Sequence, residues 1–177
     1  MDAVFKFLIY EPFWEIALIC IGLDVLWIVI NIVTINHRKI MKVISIIIMI
    51  STLIIVLGTT LLSRQPRAQE YCIKPFTLIQ QAKAQPTIYR SIMMNIFLFV
   101  PIGLSVPNIV SGKRWYRDLM IVLGCFVLSS FIEIIQFIYC LGRAEVDDVI
   151  SNTLGALIGV ALYYVNNCIA EKILKRK

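Results

Sequence analysis

Residues 43–62 read VISIIIMISTLIIVLGTTLL, twenty consecutive positions without a charged side chain. As a helix rising ~1.5 Å per residue, this run is about 30 Å long, the thickness of a bilayer's hydrocarbon core. It is too long for a strand and carries no charge on any face, so no side of it is built for water. Four further apolar segments flank it: Phe13–Ile35 before it, then Ser91–Val110, Leu119–Cys140 and Val149–Val165. In the third span, Pro101, Gly103 and Pro107 predict a kink or a break, tolerable in a membrane where neighbouring helices satisfy the freed backbone groups.

Composition agrees with that reading. Hydrophobic residues make up 59% of the 177 positions, well above the share in ordinary soluble domains, and the mean hydropathy is +0.84. The expected fold is an all-α integral membrane protein with about five transmembrane helices. The net charge of +6 does not point to nucleic acid, because the basic residues sit in short stretches between apolar runs. Arg38, Lys39 and Lys42, then Lys113, Arg114 and Arg117, then Lys172 and Lys175–Lys177 fall on one side of five spans. The opposite side is basic-poor in density, and its 141–148 loop carries Glu145, Asp147 and Asp148 against a single Arg143. This asymmetry predicts the N-terminus outside and the C-terminus inside. Lys6 is the sole basic residue of the N-terminal stretch, which is expected to stay as a helix rather than act as a cleaved signal.

The organisation that follows is two N-terminal spans over 1–62, an extracytoplasmic loop over 63–90, a three-helix region over 91–166 and a basic cytoplasmic tail over 167–177. The loop is too short for its own core, and residues 77–85 after Pro75 and Phe76 suit a short helix at the interface. Five cysteines without C-x-x-C spacing and the lone His37 give no metal motif, and no cofactor is expected. Cys72 and Cys140 share the predicted outer side, so a bridge between them is open.

Chemistry has to be sought among polar groups that the membrane makes expensive. Glu133 and Gln136 lie three apart on one face of the fourth span, and Ser129 and Cys140 extend that stripe. Asn95 begins the third span, Asp148 and Asn152 begin the fifth, and Arg143 lies in the loop between the fourth and fifth. Three helices thus bring polar side chains to one depth near the outer face. Gly155 and Gly159 continue the face of Asp148 and Asn152, and this small-x-x-x-small pair permits close helix approach. A purely architectural role stands beside the functional one. Asp147 or Asp148 suits a cap for the fifth helix, and Arg143 suits a pairing with Glu133 or an Asp. Asn95, Gln136 and Asn152 suit interhelical hydrogen bonds of about 0.6 kcal/mol each. Glu133 is harder to assign that way, since a carboxyl in hydrocarbon must pair, take up a proton or face a wet cavity. Asp24 is a second intramembrane acid with no nameable partner.

These residues also carry a resemblance. Lys74-Pro75-Phe76, the run 95–103 (NIFLFVPIG), 133–137 (EIIQF), Gly142-Arg143 and 146–155 (VDDVISNTLG) with Gly159 occur in the order found in VanZ-like membrane proteins. The similar region spans Ile73 to Tyr164. The resemblance implies a bacterial cell-envelope protein of the cytoplasmic membrane, in a family named for a protein linked to resistance against the glycopeptide teicoplanin.

Three function classes follow. A non-enzymatic envelope protein would bind a lipid-linked cell-wall precursor or a glycopeptide through Asn95, Glu133, Gln136, Arg143, Asp147, Asp148 and Asn152. A small intramembrane enzyme acting on a lipid headgroup or a polyprenyl-linked precursor would use Glu133 as acid or base and Arg143 to hold a phosphate, with Asp147 or Asp148 orienting it or ligating Mg²⁺. A transporter component or scaffold is the third, with membrane lipids or a homo-oligomer as partners. The absence of a nucleophile–base pair or phosphate-cradling glycine loop favours binding over catalysis.

Overall fold

The computed structural model describes residues 13–34, 37–62, 69–82 and 86–174. Helix α1 covers Phe13–Thr34, α2 Arg38–Leu57 with a π-helical extension Gly58–Leu62, and α3 Thr77–Ala82. Helices α4 (Pro86–Ile109), α5 (Arg114–Ile138) and α6 (Val146–Leu174) complete the bundle, and two short strands, β1 (Glu70–Cys72) and β2 (Arg143–Glu145), pair in parallel. Among the described residues, α2 with its extension, α4, α5 and α6 are long and apolar enough to cross a membrane, and α1 contributes a shorter apolar stretch, Val25–Thr34. The chain is an all-α membrane protein. The side chain of Asp24 lies outside the described residues.

The centre of the bundle is the pairing of α4 with α6. A Cβ added at Gly155 would lie 2.1 Å from the Ile96 carbonyl oxygen, and one at Gly159 would lie 2.2 Å from that of Val100. Gly103 faces the Ala156 carbonyl just as closely. The register advances together on both helices, so α4 and α6 run parallel and touch backbone to backbone, as the glycine spacing predicts. This contact also bears on the kink or break expected in α4, of which the break does not occur. The helix passes through Pro101 and Pro107 without interruption, because α6 is packed on the intervening turn and tertiary contact outweighs local propensity.

Helix α5 runs antiparallel to α6, and Val56, Phe99, Ile102, Cys125, Ile132 and Ala156 from four helices form the main apolar cluster. Ile47, Ile50 and Ile54 of α2 and Leu123, Phe126 and Phe131 of α5 are exposed, the outward apolar surface a lipid solvent calls for. Helix α6 continues past the expected end of the fifth span to Leu174, so the start of the basic tail is helical. Cys72 and Cys140 are free thiols.

Helix α5 stops at Ile138, short of Cys140. Cys140 takes φ +54°, its N–H donates to the Phe137 carbonyl, and the Leu141 N–H donates to the Gln136 carbonyl at 2.9 Å. This is a Schellman cap built without glycine at its left-handed position. It turns Cys140 off the polar stripe it was expected to extend.

The loop before α4 is tied down from several sides. Strand β1 aligns Glu70, Tyr71 and Cys72 with Arg143, Ala144 and Glu145. Tyr71 packs edge-on against Phe137 at 5.8 Å. Leu78 and Ala82 of α3 are buried against Ile92 and Ile96 of α4, so this helix docks on the bundle.

Candidate functional site

The polar cluster sits where α5 ends and α6 begins. Asn152, on the second turn of α6, donates from Nδ2 to the Ser129 hydroxyl of α5 at 2.7 Å. One turn further along α5, the Glu133 Oε2 accepts the backbone N–H of Glu145 at 2.8 Å. Gln136 donates from Nε2 to the Thr60 carbonyl in the π-helical end of α2 at 2.9 Å. Ser129, Glu133, Gln136 and Asn152 are all buried. The stripe read from the sequence therefore joins α5 to α6 and also to α2, a helix the sequence did not bring to the site.

Asp147 and Asp148 are buried at the start of α6. Asp147 does not cap its own helix. Its two carboxylate oxygens accept the backbone N–H groups of Phe76 at 2.5 Å and Leu78 at 2.6 Å, at the entry to α3. Phe76 is held at φ +61°, a left-handed conformation that costs a non-glycine residue about 1–3 kcal/mol. The carboxylate offsets that cost by satisfying donors that a helix start leaves open. Ser151 closes back onto the Asp147 carbonyl at 2.8 Å. The Lys74-Pro75-Phe76 and Asp147-Asp148 motifs are thus two halves of one contact.

Arg143 turns to Glu145, Nε to Oε1 at 3.3 Å, with its side chain 39% exposed. Among the described residues its ion pair is with Glu145, not with Glu133, Asp147 or Asp148. Glu145 links the two instead, its backbone to Glu133 and its side chain to Arg143. Asn95 is half-buried on α4, and the α4–α6 register puts it about one turn or less from the level of Asn152.

Three amide atoms in this region have no hydrogen-bond partner among the described residues: Asn95 Nδ2, Gln136 Oε1 and Asn152 Oδ1. Gln136 is 1% and Asn152 3% exposed, so each oxygen is a desolvated acceptor, a state costing about 1–3 kcal/mol when unmet. The cluster can therefore receive hydrogen-bond donors, while Asn95 offers a donor to an acceptor.

Sequence reasoning missed Thr60 and the amides of Phe76 and Leu78, which act through backbone groups, and Glu145, which acts through both its backbone and its side chain. It also missed a polar knot at the opposite end of the bundle. There Arg117 pairs with Asp118 at 2.9 Å and donates to the Tyr164 hydroxyl at 2.8 Å and the Pro107 carbonyl at 3.3 Å. Tyr164 in turn donates to Asp118 at 2.5 Å.

Comparison with known proteins agrees with this arrangement of motifs. Over 79 residues the chain is 35% identical to Protein VanZ of Enterococcus faecium, a match covering 45% of this chain and 47% of that protein. The chain thus aligns with about half the length of that relative. No solved structure matches. The family model VanZ/LLP1 matches residues 41–169, taking in α2, where the sequence alone gave no resemblance. The chain belongs to the VanZ/LLP1 family.

Proposed function

We propose that this protein spans the bacterial cytoplasmic membrane with its N-terminus outside, and lowers susceptibility to glycopeptide antibiotics such as teicoplanin. It does so by binding, without catalysis, a cell-wall precursor headgroup or the glycopeptide itself at the Glu133 end of the bundle. The observation that carries this reading is the pair of buried amide oxygens, Gln136 Oε1 and Asn152 Oδ1, that lack donors among the described residues. Peptide N–H groups and sugar hydroxyls supply such donors, and both candidate ligands are rich in them. Binding is favoured over acid–base chemistry because Glu133 is engaged by the Glu145 N–H. Arg143 is engaged by the Glu145 carboxylate, which draws it away from a phosphate-holding role.

The test is teicoplanin susceptibility in a host lacking its own family member. Gln136→Leu and Asn152→Leu, which remove the acceptors, should abolish protection while membrane-inserted protein persists. Ala at Glu133, Arg143 or Asp148 should each cost nearly as much as Ala at all three, the non-additivity of residues acting as a unit. A triple variant that protects as well as wild type would make the cluster architectural.

A further inference from the structure

At the opposite end of the bundle, α4 and α5 are consecutive in sequence yet meet in few places, the Arg117–Pro107 hydrogen bond among them, and α4 packs chiefly on α2 and α6. The gap between them is a cleft of about 370 Å³. Ile102 and Val106 of α4 and Met120, Ile121 and Leu128 of α5 supply apolar walls, with Ser111, Tyr116 and Arg117 among the lining at one end. Gly124 also lines it, and a Cβ placed there would meet nothing within 4 Å. The space is real room along a membrane-spanning helix. Hydrocarbon is the solvent at that depth.

Two dimensions identify what fits. From Arg117 to Leu128 the lining follows α5 for about 16 Å at ~1.5 Å per residue, close to the ~15 Å half-thickness of a bilayer core. At ~30 Å³ for each methylene-sized group, the volume of one water, the cleft takes on the order of twelve such groups. That is one acyl chain in one leaflet. The polar end selects the headgroup. Arg117 is neutralised by Asp118 and pinned by Tyr164 and Pro107. Lys113 and Arg114, beside it, are exposed and form no ion pair among the described residues. Exposed Trp115 and Tyr116 mark the same level as the membrane–water interface.

We propose that the α4–α5 cleft holds an acyl chain of one anionic phospholipid, with the headgroup phosphate on Lys113 and Arg114. The site is separate from the polar cluster and does not depend on which way the protein faces.

The experiment uses the full chain reconstituted in nanodiscs of phosphatidylcholine and phosphatidylglycerol at 3:1, followed by detergent extraction and native mass spectrometry. Wild type should retain one phosphatidylglycerol. Gly124→Phe, which fills the cleft, should reduce that occupancy at least tenfold, while Gly22→Phe, also in open space, should leave it unchanged. Lys113→Ala with Arg114→Ala should keep a lipid but lose the preference for phosphatidylglycerol by fivefold or more. Should Gly124→Phe fail to insert, the exposed double variant decides alone, and an unchanged preference overturns the proposal. It is equally overturned by wild-type occupancy in Gly124→Phe, by retention of both lipids in bilayer proportion, or by a wild-type dimer that Gly124→Phe converts to monomer. That last result would assign the cleft to a second copy of the chain.

Discussion

Asp147→Asn tests the contact that joins the loop to the bundle. The carboxylate accepts two backbone N–H groups, those of Phe76 and Leu78. Asparagine keeps one acceptor, loses the charge and turns an NH₂ toward the second donor. Bonds to a charged acceptor contribute about 1.5–3 kcal/mol each, so losing one and weakening the other costs about 2–4 kcal/mol of docking free energy. The left-handed Phe76 then pulls toward release, since its conformation has lost its compensation. At about 1.4 kcal/mol per factor of ten, the open state of the loop rises roughly 30- to 700-fold. Hydrogen–deuterium exchange in nanodiscs reads this directly, because α3 is short and opens as a local unit. Amides of 78–82 should exchange faster by that factor in Asp147→Asn, and remain unchanged in Asp118→Asn at the far end of the bundle. Exchange of 78–82 within threefold of wild type in Asp147→Asn would refute the assignment of Asp147 as the cap of α3.

Three further outcomes are expected. Gly155→Leu or Gly159→Leu should lower folded yield in detergent about tenfold relative to Leu157→Ala at an exposed position, because the Cβ meets a backbone carbonyl near 2.1–2.2 Å and the helices must part; equal yields would remove the packed glycine face. In intact cells, a variant with Cys72 as sole cysteine should react with a membrane-impermeant maleimide, and one with Cys168 alone should not; the reverse pattern would invert the proposed orientation. Tyr164→Phe removes the hydroxyl shared by Arg117 and Asp118 and should lower thermal stability by about 1–3 kcal/mol, read as a drop in melting temperature with unchanged oligomeric state.

The spans were legible because bilayer thickness turns apolar length into a direct signal, and 43–62 needs no partner to be read. The glycine face of α6 was legible for a similar reason, since small residues four apart have a mechanical meaning. The continuity of α4 was not. Proline at 101 predicts a break from local sterics, whereas the packing of α6 at Gly103 is a long-range fact. In the site, Glu133, Gln136 and Asn152 announced themselves as costly in hydrocarbon. Ser129, the partner of Asn152, was on the stripe already read, but the partners of Gln136 and Glu133 were not legible, because the Thr60 carbonyl and the Glu145 N–H belong to the backbone, and any residue type carries those groups. Arg143 was matched by sign to Glu133 or an Asp, while its nearest acid, Glu145, lies two positions away on the same strand. The Arg117–Tyr164 contact joins residues 47 apart in the chain, and neither position shows a pattern that names the other.

The Asp147 contact also sets an order on biogenesis. Leu78 and the carboxylate that holds it are separated by 69 residues, and both α4 and α5 must be made before the second half exists. At ~5–20 residues per second, synthesis of that interval takes roughly 3–14 s. Through that window the loop has neither its cap nor its partner strand, and the buried face of α3 stands open to proteases and chaperones. The loop can lock only once β2 and Asp147 have been made, so its closure reports that α4 and α5 are complete and α6 has begun. A chain truncated before Asp147 would carry every earlier span and still present an unlatched loop, a state that quality control can recognise from outside the bilayer.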